Sequence, residues 1–295
     1  MLLIAEGRVT AQPDKLNSAL DFLTKGQLDS AKILIDQAAN DTAYTSNPFT
    51  WQVKGFIYKE LYKSKEIADK KSPFRIEAIA SLEKSLLLDK SGEYEKDNRQ
   101  GIRFLASKFK NDAAESMDTI DYKLAIENYQ IFKRAKKVAD PDWNVADSDI
   151  EFNKAIGGVY TQLSEKRSGK EKEHYFNLAK ESFETVLTLD SSDISANYNL
   201  GRLYYNHAAQ ISFDMPYVDL EEIDSFQTQI LDYAKQSLPF MERAYRLIRK
   251  KGDEYYKDAR INDVLMALSS INVAIHEDKR AQEYKDEQKK VEEKK

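Results

Sequence analysis

The sequence predicts an all-α chain of about six antiparallel helix pairs, and three observations carry that prediction. Apolar residues recur at three- and four-residue steps, as in Ala179, Phe183, Val186 and Leu187, which stacks them on one helical face. Short polar clusters such as Asp190-Ser191-Ser192-Asp193 interrupt that periodicity with residues that favour caps and turns. A small residue followed three positions later by a ring recurs at Gly55 and Tyr58, Gly157 and Tyr160, and Gly201 and Tyr204. Without a side chain at the first position two helices can approach closely, and the ring fills the groove beside the contact.

The elements follow in order. Leu16, Ala19, Leu20, Phe22 and Leu23 mark a first helix, Gly26 turns the chain, and Ala31, Ile35 and Ala38 mark its partner. Pro48 stands at the next helix start, a position that tolerates its missing N–H. Trp51, Gly55 and Tyr58 face the helix that carries Ala78, Leu82, Leu86 and Leu87, with Ser72-Pro73 as a break between them. A third pair spans Tyr94 to Met117, with Ile102, Leu105, Phe109 and Ala113 inward, and Asp121 to Val138. In its first helix no glycine and aromatic pair is recognised. Ile156, Gly157 and Tyr160 open the fourth pair, closed by Ala179, Phe183 and Asp190. Asn197, Gly201 and Tyr204 open the fifth; Ser237, Met241 and Ala244 close it, where Pro239 is expected to kink or restart the helix. Glu254 to Lys295 reads as a sixth, degenerate pair whose charged outer side suits a terminal unit.

This arrangement of Ala, Phe, an aspartate-led turn, Leu-Gly and Tyr resembles the tetratricopeptide repeat, whose period is about 34 residues. The Trp51, Gly55 and Tyr58 spacing is the closest match. The Tyr- and Lys-rich, irregularly spaced character is similar to bacterial cell-envelope members of that family. The resemblance implies one right-handed solenoid over residues 13–295, with repeats at about 13–46, 48–91, 94–140, 147–193, 194–252 and 254–295. Relative to the family, about 11, ten and 24 residues are inserted between the helices of repeats two, four and five. These additions are expected to project from one edge, with Phe213, Met215, Tyr217 and a helix after Asp219 forming a second layer. Residues 1–12 read as a tail or the remnant of a signal peptide, Val9-Thr10-Ala11 having the look of a cleavage site. A missing leader would place the protein in the periplasm or envelope; otherwise the expectation is cytoplasm.

Composition narrows the function. A net charge of -5 argues against a nucleic-acid protein, which would want a basic face. There is no apolar run long enough to span a bilayer, and the absence of cysteine excludes disulfides and thiolate chemistry. His174, His207 and His276 fall in different repeats, and no phosphate-binding loop, nucleophile elbow or dinucleotide fingerprint occurs. The expectation is a non-enzymatic chain without a cofactor. The oxygen donors Asp140, Asp142, Asn144 and Glu151 have calcium-loop spacing, but Val145 stands where that loop needs glycine. The reading preferred for this stretch is a capping box between Ser148 and Glu151.

The family implies a protein or peptide partner held on the concave side, which the first helix of each repeat lines. Residues one step beyond the packing positions are the candidates: Gln52, Phe56 and Lys59 in repeat two, Lys154 in repeat four, and Tyr198, Asn199, Arg202 and Tyr205 in repeat five. The family's carboxylate clamp does not transfer, since only Lys154 and Asn199 match it and Gly158 replaces its Asn. The alternative reading is a carbohydrate- or small-ligand-binding envelope protein using rings without a packing duty, notably Phe56, Tyr198, Tyr205 and Tyr217.

Overall fold

The computed structural model describes residues 14–214 and 222–294, and every regular element among them is helical. The chain divides into two compact units, residues up to 116 with 123–143, and residues 117–122 with those from 144 onward.

In the first unit, α1 (Lys15–Thr24), α2 (Leu28–Ala39), α3 (Pro48–Lys65), α4 (Pro73–Leu88) and α5 (Glu95–Glu115) follow one another with short turns. α6 (Tyr122–Ala139) belongs here but for its first residue. Their ends are set by local chemistry. Asp14 accepts from the Leu16 amide at 3.0 Å to start α1. Gly26 takes φ 71°, a left-handed turn that a Cβ would strain, and sends the chain into α2. Asn47 caps α3 ahead of Pro48, and Pro73 occupies the first turn of α4. From α1 to α5 each helix packs on the next, and α3 also touches both α1 and α5. The odd-numbered helices therefore form a layer of their own. Leu16, Ala31, Ile35, Ile57 and Leu61 are sealed beneath it; burying each leucine or isoleucine contributes about 1.5–3 kcal/mol.

The second unit repeats the plan with α7 (Ala146–Glu165), α8 (Gly169–Leu189), α9 (Ile194–Asp214), α10 (Ile223–Arg249), α11 (Ile261–Ala274) and α12 (Asp278–Glu293). A short 3-10 turn, Gly252–Lys257, precedes α11. Successive helices pack, and α9 also contacts α7 and α11. Three glycines seat a side chain of the partner helix. A Cβ on Gly55 would stand 2.5 Å from Leu82, one on Gly157 2.7 Å from the Phe183 ring, and one on Gly201 2.8 Å from Met241.

In repeat four the added length is taken up as helical turns, α7 and α8 running 20 and 21 residues. Met215, Tyr217 and Asp219 lie outside the described residues. Pro239 does not restart α10, which continues through it for 27 residues. Packing on α9 and α11 holds it in place; Ser237 Oγ donates to the Gly201 carbonyl at 2.7 Å. The Ser148–Glu151 capping box also gives way. Asn144 Oδ1 accepts from the Ala146 amide at 3.0 Å, so α7 starts earlier and Ser148 sits inside its first turn. Asp140, meanwhile, takes Arg103 Nε at 2.7 Å and pairs with Lys136, which holds its carboxyl below the usual range.

Candidate functional site

Among the described residues each unit carries a hollow. The hollow of the first unit lies between α3 and α5 and measures about 310 Å³. Its position follows from a glycine. A Cβ on Gly101 would reach 2.8 Å from Leu82 Cδ1 and 3.5 Å from the Phe56 ring, so the bare backbone leaves room for that ring. Phe56 and Phe104 are half-buried at its sides, with Lys59, Lys63, Asp97 and Gln100 around them. Lys59 Nζ rides 4.5 Å from the centre of the Phe56 ring, and Lys108 Nζ 5.5 Å from that of Phe104. Glu60 balances part of this charge, 3.4 Å from Lys59 and 2.7 Å from Lys63. The arrangement offers an apolar slot between two rings beneath a cationic rim.

Of the sequence-predicted residues, Phe56 and Lys59 thus meet in one place. Gln52 does not join them, being only 7% exposed. Lys154 is tied at 2.9 Å to Asp193, whose carboxylate also accepts the Ala196 amide at the start of α9. Tyr198 is likewise 7% exposed; its hydroxyl donates to Asp263 Oδ2 at 2.9 Å, and burial raises its pKa. Its ring serves the core because α11 packs against α9 there. Tyr205 rests half-buried on the same cluster, Asn199 is half-buried, and exposed Arg202 lies 5.5 Å from the Tyr198 ring. The rings behind a glycan reading are therefore dispersed: Tyr198 is core, and Tyr217 is outside the described residues.

Phe104, Gln100 and Asp97 were missed. The signal was present, because Gly101 and Phe104 repeat the interval of Gly55 and Tyr58. Here the glycine faces Leu82 of the preceding helix rather than its own partner, and the ring turns to the hollow.

The second hollow, a cleft of about 760 Å³, lies among the end of α7, the start of α8 and the last turns of α9. Its floor includes Phe176 and His207, 5% and 8% exposed, with ring centres 4.8 Å apart. Tyr233 backs His207 at 4.3 Å. Among the described residues there is no cluster of acidic and histidine side chains able to hold a metal, and no helix long and apolar enough to cross a membrane.

Odd-on-odd helix packing with glycine seats defines a tetratricopeptide-like helix-pair fold. No family model matches the chain, and no curated protein matches it. Solved structures similar to it include the MamA protein, at 16% identity and TM-score 0.24, covering 82% of this chain and 97% of that one. A tetratricopeptide repeat protein from Parabacteroides merdae matches at 16% identity and TM-score 0.25, covering 94% and 91%. A monomeric mutant of IFIT1 with Gppp-AAAA matches at 13% identity and TM-score 0.23, covering 94% and 67%. Likeness at these TM-scores adds nothing to the fold, which rests on the packing of the helix pairs.

Proposed function

We propose that the chain is a non-enzymatic scaffold that docks a protein or peptide on its odd-numbered helices, with the α3–α5 hollow as one contact. The observation that carries this reading is the pair of half-buried rings, Phe56 and Phe104, flanked by Lys59 and Lys63. An apolar side chain seated between the rings, with a carboxylate nearby, would meet both the slot and its rim. Large rings in a partly desolvated pocket are the usual centres of interface energy. On α9, Asn199, Arg202 and Tyr205 would extend the docking surface of the second unit, and Lys154 that of α7.

Selection of random peptides on the intact chain tests this. Enriched peptides should carry an apolar residue beside an acidic one. Replacing Phe56 and Phe104 together by Ala should weaken them at least about tenfold, or ~1.4 kcal/mol. Binding at wild-type strength in a folded double variant would remove the hollow from the interface. Failure to enrich any peptide would count against the scaffold reading itself.

A further inference from the structure

The α3–α5 hollow suits an apolar side chain with a carboxylate beside it, and the chain itself carries such a segment. Met1-Leu2-Leu3-Ile4-Ala5-Glu6 sets a run of apolar residues next to one acid. These residues lie outside the described ones, which start at Asp14, the N-cap of α1. The hollow and the start of α1 belong to the same compact unit.

Charge, reach and order each match the segment to the hollow. Lys59 and Lys63 share one carboxylate, Glu60, at 3.4 and 2.7 Å, so that trio on α3 keeps a surplus of positive charge. Glu60 and Lys63 are solvent-exposed enough that a second carboxylate can join them at little cost. Reach follows from the helix layer. Consecutive helices joined by short turns run antiparallel, so α1 and α3 run the same way, about 8–10 Å apart. Phe56 stands eight residues beyond Pro48, ~12 Å along α3. That puts the slot about 20 Å from Asp14. Gly7 to Pro13, extended, covers up to about 23–25 Å, enough to bring Glu6 and the residues before it onto the slot. The order of residues also fits. A chain arriving from α1 crosses α3, with Lys59 and Lys63, before it meets the gap toward Phe104 of α5. On that path Glu6 comes first and Ile4 and Leu3 follow.

We propose that residues 2–6 dock on the α3–α5 hollow of their own chain as a strap, with Leu3 and Ile4 at Phe56 and Phe104 and Glu6 at Lys59 and Lys63. The proposal rests on the docking reading given above and adds a regulator to it: an outside peptide must displace the strap. Tethering gives a short segment an effective concentration of about the millimolar range, so a strap of modest intrinsic affinity still competes.

The probe is a labelled synthetic peptide of residues 1–12, titrated into the full chain. Wild type should bind it weakly, its slot being filled from within. The full-chain variant Leu3→Ser, Ile4→Ser, Glu6→Gln changes no residue of a described helix and should bind the peptide at least about tenfold more tightly. Adding Phe56→Ala and Phe104→Ala to that variant should remove the gain. A peptide with Glu6→Lys should bind the freed chain about tenfold more weakly, and recover on a freed chain that also carries Lys59→Glu and Lys63→Glu. Equal binding by wild type and the freed chain would overturn the strap, as would tight binding that survives loss of both rings in a folded variant. A concentration-dependent dimer of wild type that the Leu3, Ile4 and Glu6 changes abolish would also overturn it, by seating the segment in a second copy. Peptides enriched by random selection separate the two readings. If they bind the freed chain and the peptide of residues 1–12 does not, the strap fails and docking stands; if neither binds, docking itself fails.

Discussion

The α7–α8 pair and the third pair, α5 with α6, are held together by opposite means. In the first, Gly157 gives up its side chain so that the Phe183 ring can enter, and the contact at that seat is apolar. In the third, a cation is buried. Arg75, on α4, is fully sealed, pairs with Asp112 of α5, and reaches Asn128 Oδ1 of α6 at 3.2 Å. Its guanidinium lies 3.9 Å from the centre of the Phe109 ring and also meets the Lys70 carbonyl. An apolar seat tolerates no extra atom. A buried charge tolerates no lost partner. The two regions should therefore fail under different substitutions.

The largest effect is expected at Arg75. Arg75→Ala leaves Asp112 facing a vacated interior site and strips Asn128 of a donor, so stability should fall by about 3–5 kcal/mol in denaturant unfolding. The double change Arg75→Met with Asp112→Leu should recover most of that loss, because an apolar pair of similar volume avoids the desolvation of both charges. If the double variant is as unstable as the single one, Arg75 acts through Asn128 and the Lys70 carbonyl rather than through the ion pair.

A second buried charge extends the comparison to the last helices. Asp258 is 8% exposed and receives Arg260 Nε and Nη2 at 2.9 and 2.8 Å and Lys251 Nζ at 2.7 Å. The Arg260 guanidinium, more than any other group, holds its carboxyl far below the usual range. The folded pKa lies below the unfolded one, so its contribution is full above about pH 4 and is lost as pH falls toward the folded value. Asp258→Ala should cost roughly 2 kcal/mol at neutral pH. Below about pH 3 the difference between variant and wild type should shrink. A difference that holds constant across that range would mean the loss is one of packing.

The sequence made one of these two regions legible and not the other. Gly157-x-x-Tyr160 and Phe183 announce their packing because the pattern is local and apolar. Arg75 looks like any lysine or arginine of a solvated face; only the approach of α5 and α6 from 37 and 53 residues away buries it. The hollow was half legible for the same reason. Phe56 and Lys59 stand at a recognisable offset from Gly55, whereas Phe104 required knowing that Gly101 faces the preceding helix. Tyr198 was misplaced because its partner, Asp263, lies 65 residues on and no local pattern announces it. Cap placement failed at Ser148 because Asn144 offered its oxygen to the backbone sooner.

The glycine seat gives the next effect in size. On Gly157 a new Cβ would lie 2.7 and 2.9 Å from Phe183 Cε1 and Cζ, and that ring is rigid and 1% exposed. Overpacking of this kind costs about 1–3 kcal/mol. The helix gains ~0.5–1 kcal/mol when Ala replaces Gly. Gly157→Ala should therefore be destabilised by a net ~1–2 kcal/mol, with the fold retained.

The smallest effect carries the sharpest contrast, since it concerns the very next residue. Gly158 is also in the interior of α7, but a Cβ there meets nothing within 4 Å. Both glycines have ordinary helical backbone, so neither substitution strains φ. What differs is only the space beyond Cα. Gly158→Ala should therefore stabilise the protein by ~0.5–1 kcal/mol, the helix preference uncorrected by any clash. The two single variants, measured side by side by thermal or denaturant unfolding, must move in opposite directions. If Gly158→Ala also destabilises, something covers that face of α7. If Gly157→Ala stabilises, Phe183 has room to withdraw, and the apolar seat is looser than its distances say.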